Sequence, residues 1–215
     1  HSFPTRRSSD LICDGGTPNL CDTATVYITI DPVNDPPVAV DDTATTSEDT
    51  AVTITRLAYG LALDCDATVS DDGTVVGDPT EAALVVLAAK GGLDVDETRR
   101  VLPRIAEVPF DSEYKLMATF HELEADGRPV IRCYVKGAPD VLLARASGIR
   151  DADGSTVPIE SGGDRALEEN DRLAGEGLRV LAVASRDIDP AAFDPGGDLL
   201  AEVQGLTLLA LVGIV

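Results

Sequence analysis

Residues 57–215 of this 215-residue chain predict an α+β domain, an antiparallel β-sheet flanked by helices, behind a largely unstructured N-terminal segment. Three stretches carry that expectation. Val108–Asp140 alternates in polarity on both sides of Ala125-Asp126-Gly127-Arg128, the pattern of two strands around a tight turn. Gly77–Gly92 has the marks of a capped helix. Gly163–Gly177 is amphipathic at helical spacing and runs straight into the apolar stretch Leu178–Ile188.

Taken in order, Leu57–Asp66 places small and apolar residues at helical spacing. Asp78 is placed to cap the next helix, Pro79 suits its first turn, and Gly91-Gly92 ends it. Glu81, three residues after the cap, completes the sequence pattern of a capping box. A short helix around Asp96–Leu102 stops at Pro103. In the hairpin, Leu116, Ala118 and Phe120 share one face, and pairing the strands brings Phe110 and Lys115 toward Lys136 and Gly137. Pro139 opens a helix through Ala146, and Arg150–Gly154 is a turn. Glu168 and Arg172 stand at a favourable i, i+4 spacing, and Gly177 stops their helix. A Pro/Gly/Asp loop over Asp189–Asp198 precedes a last strand at Leu206–Val215.

The net charge of −21 disfavours nucleic acid and anionic membrane surfaces, both of which would repel the chain. Solubility or salt adaptation accounts for most of that acidity. No apolar run approaches the roughly 20 residues of a membrane span. The four cysteines show no metal-ligand spacing, and no metal site is expected. His121, after a strand in a polar stretch, reads as solvated. Of 17 basic residues only Lys90, Lys115 and Lys136 are lysine. Two of these three frame the hairpin, which points to a need for a compact ammonium there. Phe110 is one of only four phenylalanines in a chain without tryptophan. An aromatic face, two lysines and a glycine suit an adenine nucleotide. A plain hairpin, with Phe110 in the core and the lysines in solvent, satisfies the same pattern.

Four motifs occur in order: GDPTEAAL at Gly77–Leu84, PFDSEYKLM at Pro109–Met117, KGAP at Lys136–Pro139 and GLRVLAVA at Gly177–Ala184. Together they resemble the nucleotide-binding domain of the P-type cation-transporting ATPases, closest to the calcium-transporter-like branch. The resemblance implies that Glu81 faces the adenine, although the capping box explains the same residue. It implies that adenine stacks on Phe110, that Lys115 lies at the pocket edge and that Lys136 lines its floor. Gly137 would let the nucleotide come close, Arg179 would reach the phosphates, and Leu181 would pack against the base. The implied cofactor is ATP, with Mg2+ accompanying it in the parent protein. The implied partners are the phosphorylation and actuator domains of that parent, with the domain on the cytoplasmic side. The family often carries an arginine where this chain has Asp111-Ser112-Glu113. No Asp-Lys-Thr-Gly-Thr segment is present, so no catalytic residue is assigned and the chain is expected to hold ATP without transferring its phosphate.

The N-terminal stretch reads differently. Residues 1–11, HSFPTRRSSDL, resemble a translated sequencing-adapter artefact. Residues 12–55 combine an alternating run, CDTATVYITI, a Pro/Asp/Asn linker and another strand pattern. They resemble the junction of two bacterial cadherin-like or immunoglobulin-like adhesin repeats. Neither repeat is complete, so poor order is expected, and an extracellular context would allow a disulfide between Cys13 and Cys21. An assembly chimera with a seam near Thr55–Leu57 is the simplest account, and a genuine fusion is the alternative. A secreted adhesin-like interaction protein is the competing functional reading.

Overall fold

The computed structural model describes residues 48–70, 73–151 and 154–215, with side-chain surroundings from Thr55 onward. The adapter-like segment, the Cys13–Cys21 pair and most of the adhesin-like stretch lie outside the described residues. Helix α1 spans Glu48–Leu63. Residues 48–55, expected to be extended, are therefore helical. Threonine, valine and isoleucine each cost a helix only about 0.5 kcal/mol. The same helix is anchored further on by Leu61 and Ala62, 2% and 0% exposed in the core.

Two short strands, β1 (Thr68–Val69) and β2 (Val75–Val76), pair antiparallel. They lead into α2 (Pro79–Lys90), whose N-cap Asp78 accepts from the Thr80 and Glu81 amides. Helix α3 (Val95–Val101) is capped by Asp94. The main sheet then begins with β3 (Arg104–Asp111), β4 (Leu116–Ala125) and β5 (Arg128–Gly137). After α4 (Pro139–Arg145) come β6 (Ala146–Arg150) and β7 (Thr156–Pro158). Helix α5 (Gly163–Gly175), β8 (Arg179–Ile188), α6 (Leu199–Glu202) and β9 (Leu206–Ile214) complete the chain.

The sheet has seven strands in the order β3-β4-β5-β8-β9-β6-β7. Every pairing is antiparallel except β6 with β9. The antiparallel α+β expectation holds, with that one parallel pair added. The expected two-stranded hairpin is a three-stranded unit, because β3 pairs with β4 from Arg104 to Asp111. Asp126 and Gly127 both take positive φ, 50° and 71°, as the tight β4–β5 turn requires.

Alternation along the strands feeds two cores. Leu116, Ala118, Phe120, Ile131, Cys133, Val135, Ala182 and Ala184 face Leu142 and Leu143 of α4. Val183, Leu209 and Val212 face the other way, against Leu61 and Ala62 of α1 and Leu84 and Val85 of α2. Each large side chain buried this fully contributes about 1.5–3 kcal/mol. Because helices cover both faces, the polar residues of the second face are also enclosed. His121 is 1% exposed, and its Nδ1 lies 2.8 Å from the Leu102 carbonyl. The solvated histidine expected from sequence is thus a buried one. Burial lowers its pKa, against the pull of the Leu102 carbonyl.

Two local pairings differ from expectation. Glu81 does not close a capping box; its carboxylate turns away from the cap and accepts from the Asp66 and Ala67 amides at 2.8 and 3.0 Å. Arg172 closes on Glu169 and Glu176, both at 2.6 Å, rather than on Glu168. Cys65 and Cys133 are buried free thiols. No helix among the described residues is long and apolar enough to cross a membrane.

Candidate nucleotide site

Phe110, Lys115, Lys136 and Gly137 lie where β3 and β5 end and β4 begins, and Lys136 reaches Glu81 in the first turn of α2. Strand register does much of this. Leu116 pairs with Gly137, Met117 with Lys136, and Gly137 in turn with Ala182 of β8. The loop from Phe110 to Lys115 folds back on itself: the Lys115 amide donates to the Asp111 carbonyl at 2.7 Å. Its own carbonyl accepts from Ala138 at 3.0 Å. The lysine motif at one end of the hairpin is thereby tied to the Lys136–Pro139 turn at the other. Lys115 takes a φ of 54°, uncommon for a residue with a side chain, and its side chain is exposed.

Phe110 is 65% exposed at the end of β3. That disposes of the plain reading in which it fills the core. A large aromatic left in solvent contributes little to folding and is available to a planar ligand.

Lys136 is the opposite case. It is 7% exposed, and its Nζ lies 3.1 Å from Glu81 Oε1 and 4.0 Å from Asp64 Oδ1. It also donates to the Asp64 carbonyl and lies 2.9 Å from Met117 Sδ. The plain reading that leaves this lysine in solvent is corrected: Lys136 is enclosed by protein acceptors. Burial alone would depress its pKa, but the acidic surroundings outweigh that and raise it.

Around it the Asp64–Ala67 segment is clamped by cations. Arg99 donates to the carbonyls of Ala62, Cys65 and Ala67 at 2.9–3.1 Å. Arg104 reaches Asp66 at 2.9 Å and Glu107 at 2.5 Å. These carbonyls belong to the last turn of α1 and the residues just after it, where orphan acceptors and the negative end of the helix dipole favour positive charge. Sequence reasoning missed Asp64, Arg99 and Arg104. The run of polar residues directly after an apolar helix was the available signal.

Gly137 has a structural reason of its own. A Cβ there would stand 2.5 Å from the Lys115 carbonyl oxygen and 2.9 Å from Leu116 Cα. The close approach it permits is that of the neighbouring strand. Arg179 is exposed at the start of β8 and donates to the Thr80 hydroxyl at 3.0 Å. It stands beside the N-terminus of α2, where amide groups and the dipole favour an anion. Leu181 is half-buried against the α1–α2 side of the sheet. Glu81 and Lys136 are therefore in direct contact, Arg179 is joined to the adjacent Thr80, and Lys115 lies against Gly137 and Ala138.

Two clefts lie elsewhere. One of about 520 Å³ sits between α2 and α3, lined by Val69, Val85, Lys90 and Arg99 among others. One of about 410 Å³ lies between α4 and α5, with Asp140, Leu143, Glu160 and Leu167 on its walls. Neither includes Phe110, Lys115 or Lys136; Phe110, Lys115 and Arg179 are exposed, so the candidate residues form a ledge at the surface over the buried Lys136. Among the described residues no group of His, Cys, Asp and Glu is arranged to hold a metal ion.

The fold is a two-core α+β sheet flanked by helices, with Phe110 exposed at the end of β3 and Lys136 buried beside Glu81. The family model for the P-type ATPase cytoplasmic domain N matches residues 53–215, and the chain belongs to that family. It is 41% identical over 149 residues to the cation-transporting ATPase pma1 of Synechocystis, covering 67% of this chain and 15% of the relative. It is 36% identical over 133 residues to calcium-transporting ATPase 1 of Lactococcus lactis, covering 61% of this chain and 15% of the relative. With calcium-transporting ATPase type 2C member 1 of Pongo abelii it shares 35% identity over 153 residues, 70% of this chain and 15% of the relative. The chain thus spans about 15% of the length of these relatives.

Proposed function

We propose that this domain binds ATP on the ledge between the ends of β3–β5 and the start of α2, within a cation-transporting ATPase of the calcium-transporter-like branch. The exposure of Phe110 carries the reading. Its ring provides a stacking face for adenine, worth about 0.5–1.5 kcal/mol beyond area burial. Glu81, half-buried beside Lys136, would accept from the amino group of the base with lone pairs its Asp66, Ala67 and Lys136 contacts leave free. Leu181 offers apolar contact on the same side of the sheet. Lys115 and Arg179 are the exposed cations of the ledge and take the phosphates, Arg179 with a guanidinium able to donate two hydrogen bonds at once. Lys136 supplies positive charge from below, and Gly137 keeps β5 close under the Lys115 turn.

In the parent protein the domain would hold ATP, with Mg2+, so that its terminal phosphate meets an aspartate of the phosphorylation domain on the cytoplasmic side of the membrane. This chain's own residues bind and orient; the accepting aspartate motif is not among them. The relatives named as calcium-transporting ATPases support the branch. Titrating ATP into the isotope-labelled chain and following amide and side-chain NMR signals tests the reading. Shifts centred on Phe110, Lys115, Glu81 and Arg179 are expected, and unchanged spectra at millimolar ATP would refute it.

A further inference from the structure

We infer that Asp64 is a positioning residue for the nucleotide ledge: its carboxyl competes with that of Glu81 for the single ammonium of Lys136. The inference rests on the ATP-binding reading above. Its structural basis is the placement of one cation between two carboxyls of unlike surroundings. Lys136 Nζ is 3.1 Å from Glu81 Oε1 and 4.0 Å from Asp64 Oδ1. Asp64 is 0% exposed, and neither of its carboxyl oxygens has a hydrogen-bond partner among the described residues. A buried carboxyl without hydrogen bonds is costly when charged, so it either keeps its proton or captures a cation. Glu81, in contrast, is held by the Asp66 and Ala67 amides and remains partly open to the ledge.

The groups that face Asp64 come from several elements. Lys136 approaches from β5, Arg104 from β3 and Glu81 from α2, with the Cys65 thiol next to it in the chain. Burial raises the Asp64 pKa well above the ordinary range, and the attraction of Lys136 and Arg104 only partly offsets it. Cys65 is pushed up to about 12, chiefly by burial, and stays a neutral thiol.

With Asp64 protonated, Lys136 has one anionic partner, and Glu81 is fixed with Oε1 on the ammonium. When Asp64 releases its proton to solvent, the ammonium gains a second anion. Lys136 already donates to the Asp64 main-chain carbonyl, so only a short swing separates the two arrangements. That swing takes the ion pair from Glu81, and the proton lost from Asp64 leaves one more negative charge beneath the phosphates. Both effects weaken nucleotide binding as pH rises.

The test measures ATP affinity of the whole chain from about pH 5 to about pH 9, for the wild type, Asp64→Asn and Asp64→Glu. ATP titrates within this range, so the ratio of wild-type to variant affinity is the quantity read. Wild-type affinity is expected to fall several-fold relative to Asp64→Asn on the alkaline side, and Asp64→Glu to restore a pH-dependent ratio. A constant ratio for Asp64→Asn overturns the inference. A second measurement needs no variant: the Asp64 carboxyl carbon and the Lys136 ammonium nitrogen are followed by NMR against pH in the wild type. A shared transition above the ordinary carboxylate range supports the inference, and an Asp64 signal that titrates near pH 4, or independently of Lys136, overturns it. If ATP fails to bind at any pH while the two signals titrate together, the nucleotide reading falls and the Asp64–Lys136 coupling stands.

Discussion

Arg132 grips Asp187 with two parallel hydrogen bonds, Nε to Oδ1 at 2.5 Å and a terminal guanidinium nitrogen to Oδ2 at 2.8 Å, across the β5–β8 register. Arg56 of α1 adds a third contact to the same carboxylate at 3.1 Å. The helix over the sheet and the two central strands are thus joined through one aspartate. Burial alone would raise its pKa, but Arg132 and Arg56 outweigh that and lower it. A carboxyl depressed in the folded state stabilises the fold above its unfolded value, about 3.9, and loses that contribution as pH falls through the folded value. Asp187→Asn should therefore lower the melting temperature near neutral pH and narrow its gap to the wild type at acid pH. Thermal unfolding followed by circular dichroism across that range checks this, and a gap independent of pH would contradict it.

Removing Lys136 should unfold rather than merely weaken the site. Lys136→Ala leaves Glu81 and the Asp64 carbonyl without their shared cation. Breaking a buried ion pair on one side costs about 3–5 kcal/mol. Urea denaturation should show a loss of that order. A loss below about 1 kcal/mol would place the ammonium in solvent, as for exposed pairs.

Phe110 should behave the other way. At 65% exposure, Phe110→Ala should cost far less than the roughly 3–5 kcal/mol of a core phenylalanine. Phe110→Leu keeps apolar volume and removes the flat face. It is expected to melt near the wild type and to bind ATP several-fold less tightly by calorimetry. Unchanged affinity would remove stacking from the proposed site.

Incubation with γ-labelled ATP is expected to leave no acid-stable, hydroxylamine-sensitive label on the chain. The aspartyl phosphate route needs an activated aspartate, and the motif that carries it is not in this sequence. A labelled band would show that another carboxylate accepts the phosphate.

The sequence alone determined those elements whose cause is local. The α2 cap at Asp78, the Asp126-Gly127 turn, the alternation of β4 and β5 and the stop after Gly175 each follow from backbone preferences within a few residues. So does the meeting of Lys115 with Gly137, because a two-residue turn sets the register of everything it joins. The ordered motifs also carried the family, since four short patterns in sequence constrain more than any one of them.

Tertiary structure decided which polar residues are inside. A strand with one face in solvent and a strand covered on both faces show the same alternation of charge and apolar residues. Here helices cover the second face, which encloses His121, read from sequence as solvated, and Lys136, which the plain-hairpin reading left in solvent. Covering that face also supplied Lys136 with acceptors from residues 19 to 72 positions away, a pairing no local pattern announces. The same long-range contact took Glu81 from its cap. Phe110 is left in solvent by the reverse circumstance. The sheet register shifts between Val108 and Asp111, and among the described residues the ring stays 65% exposed at that end of the strand.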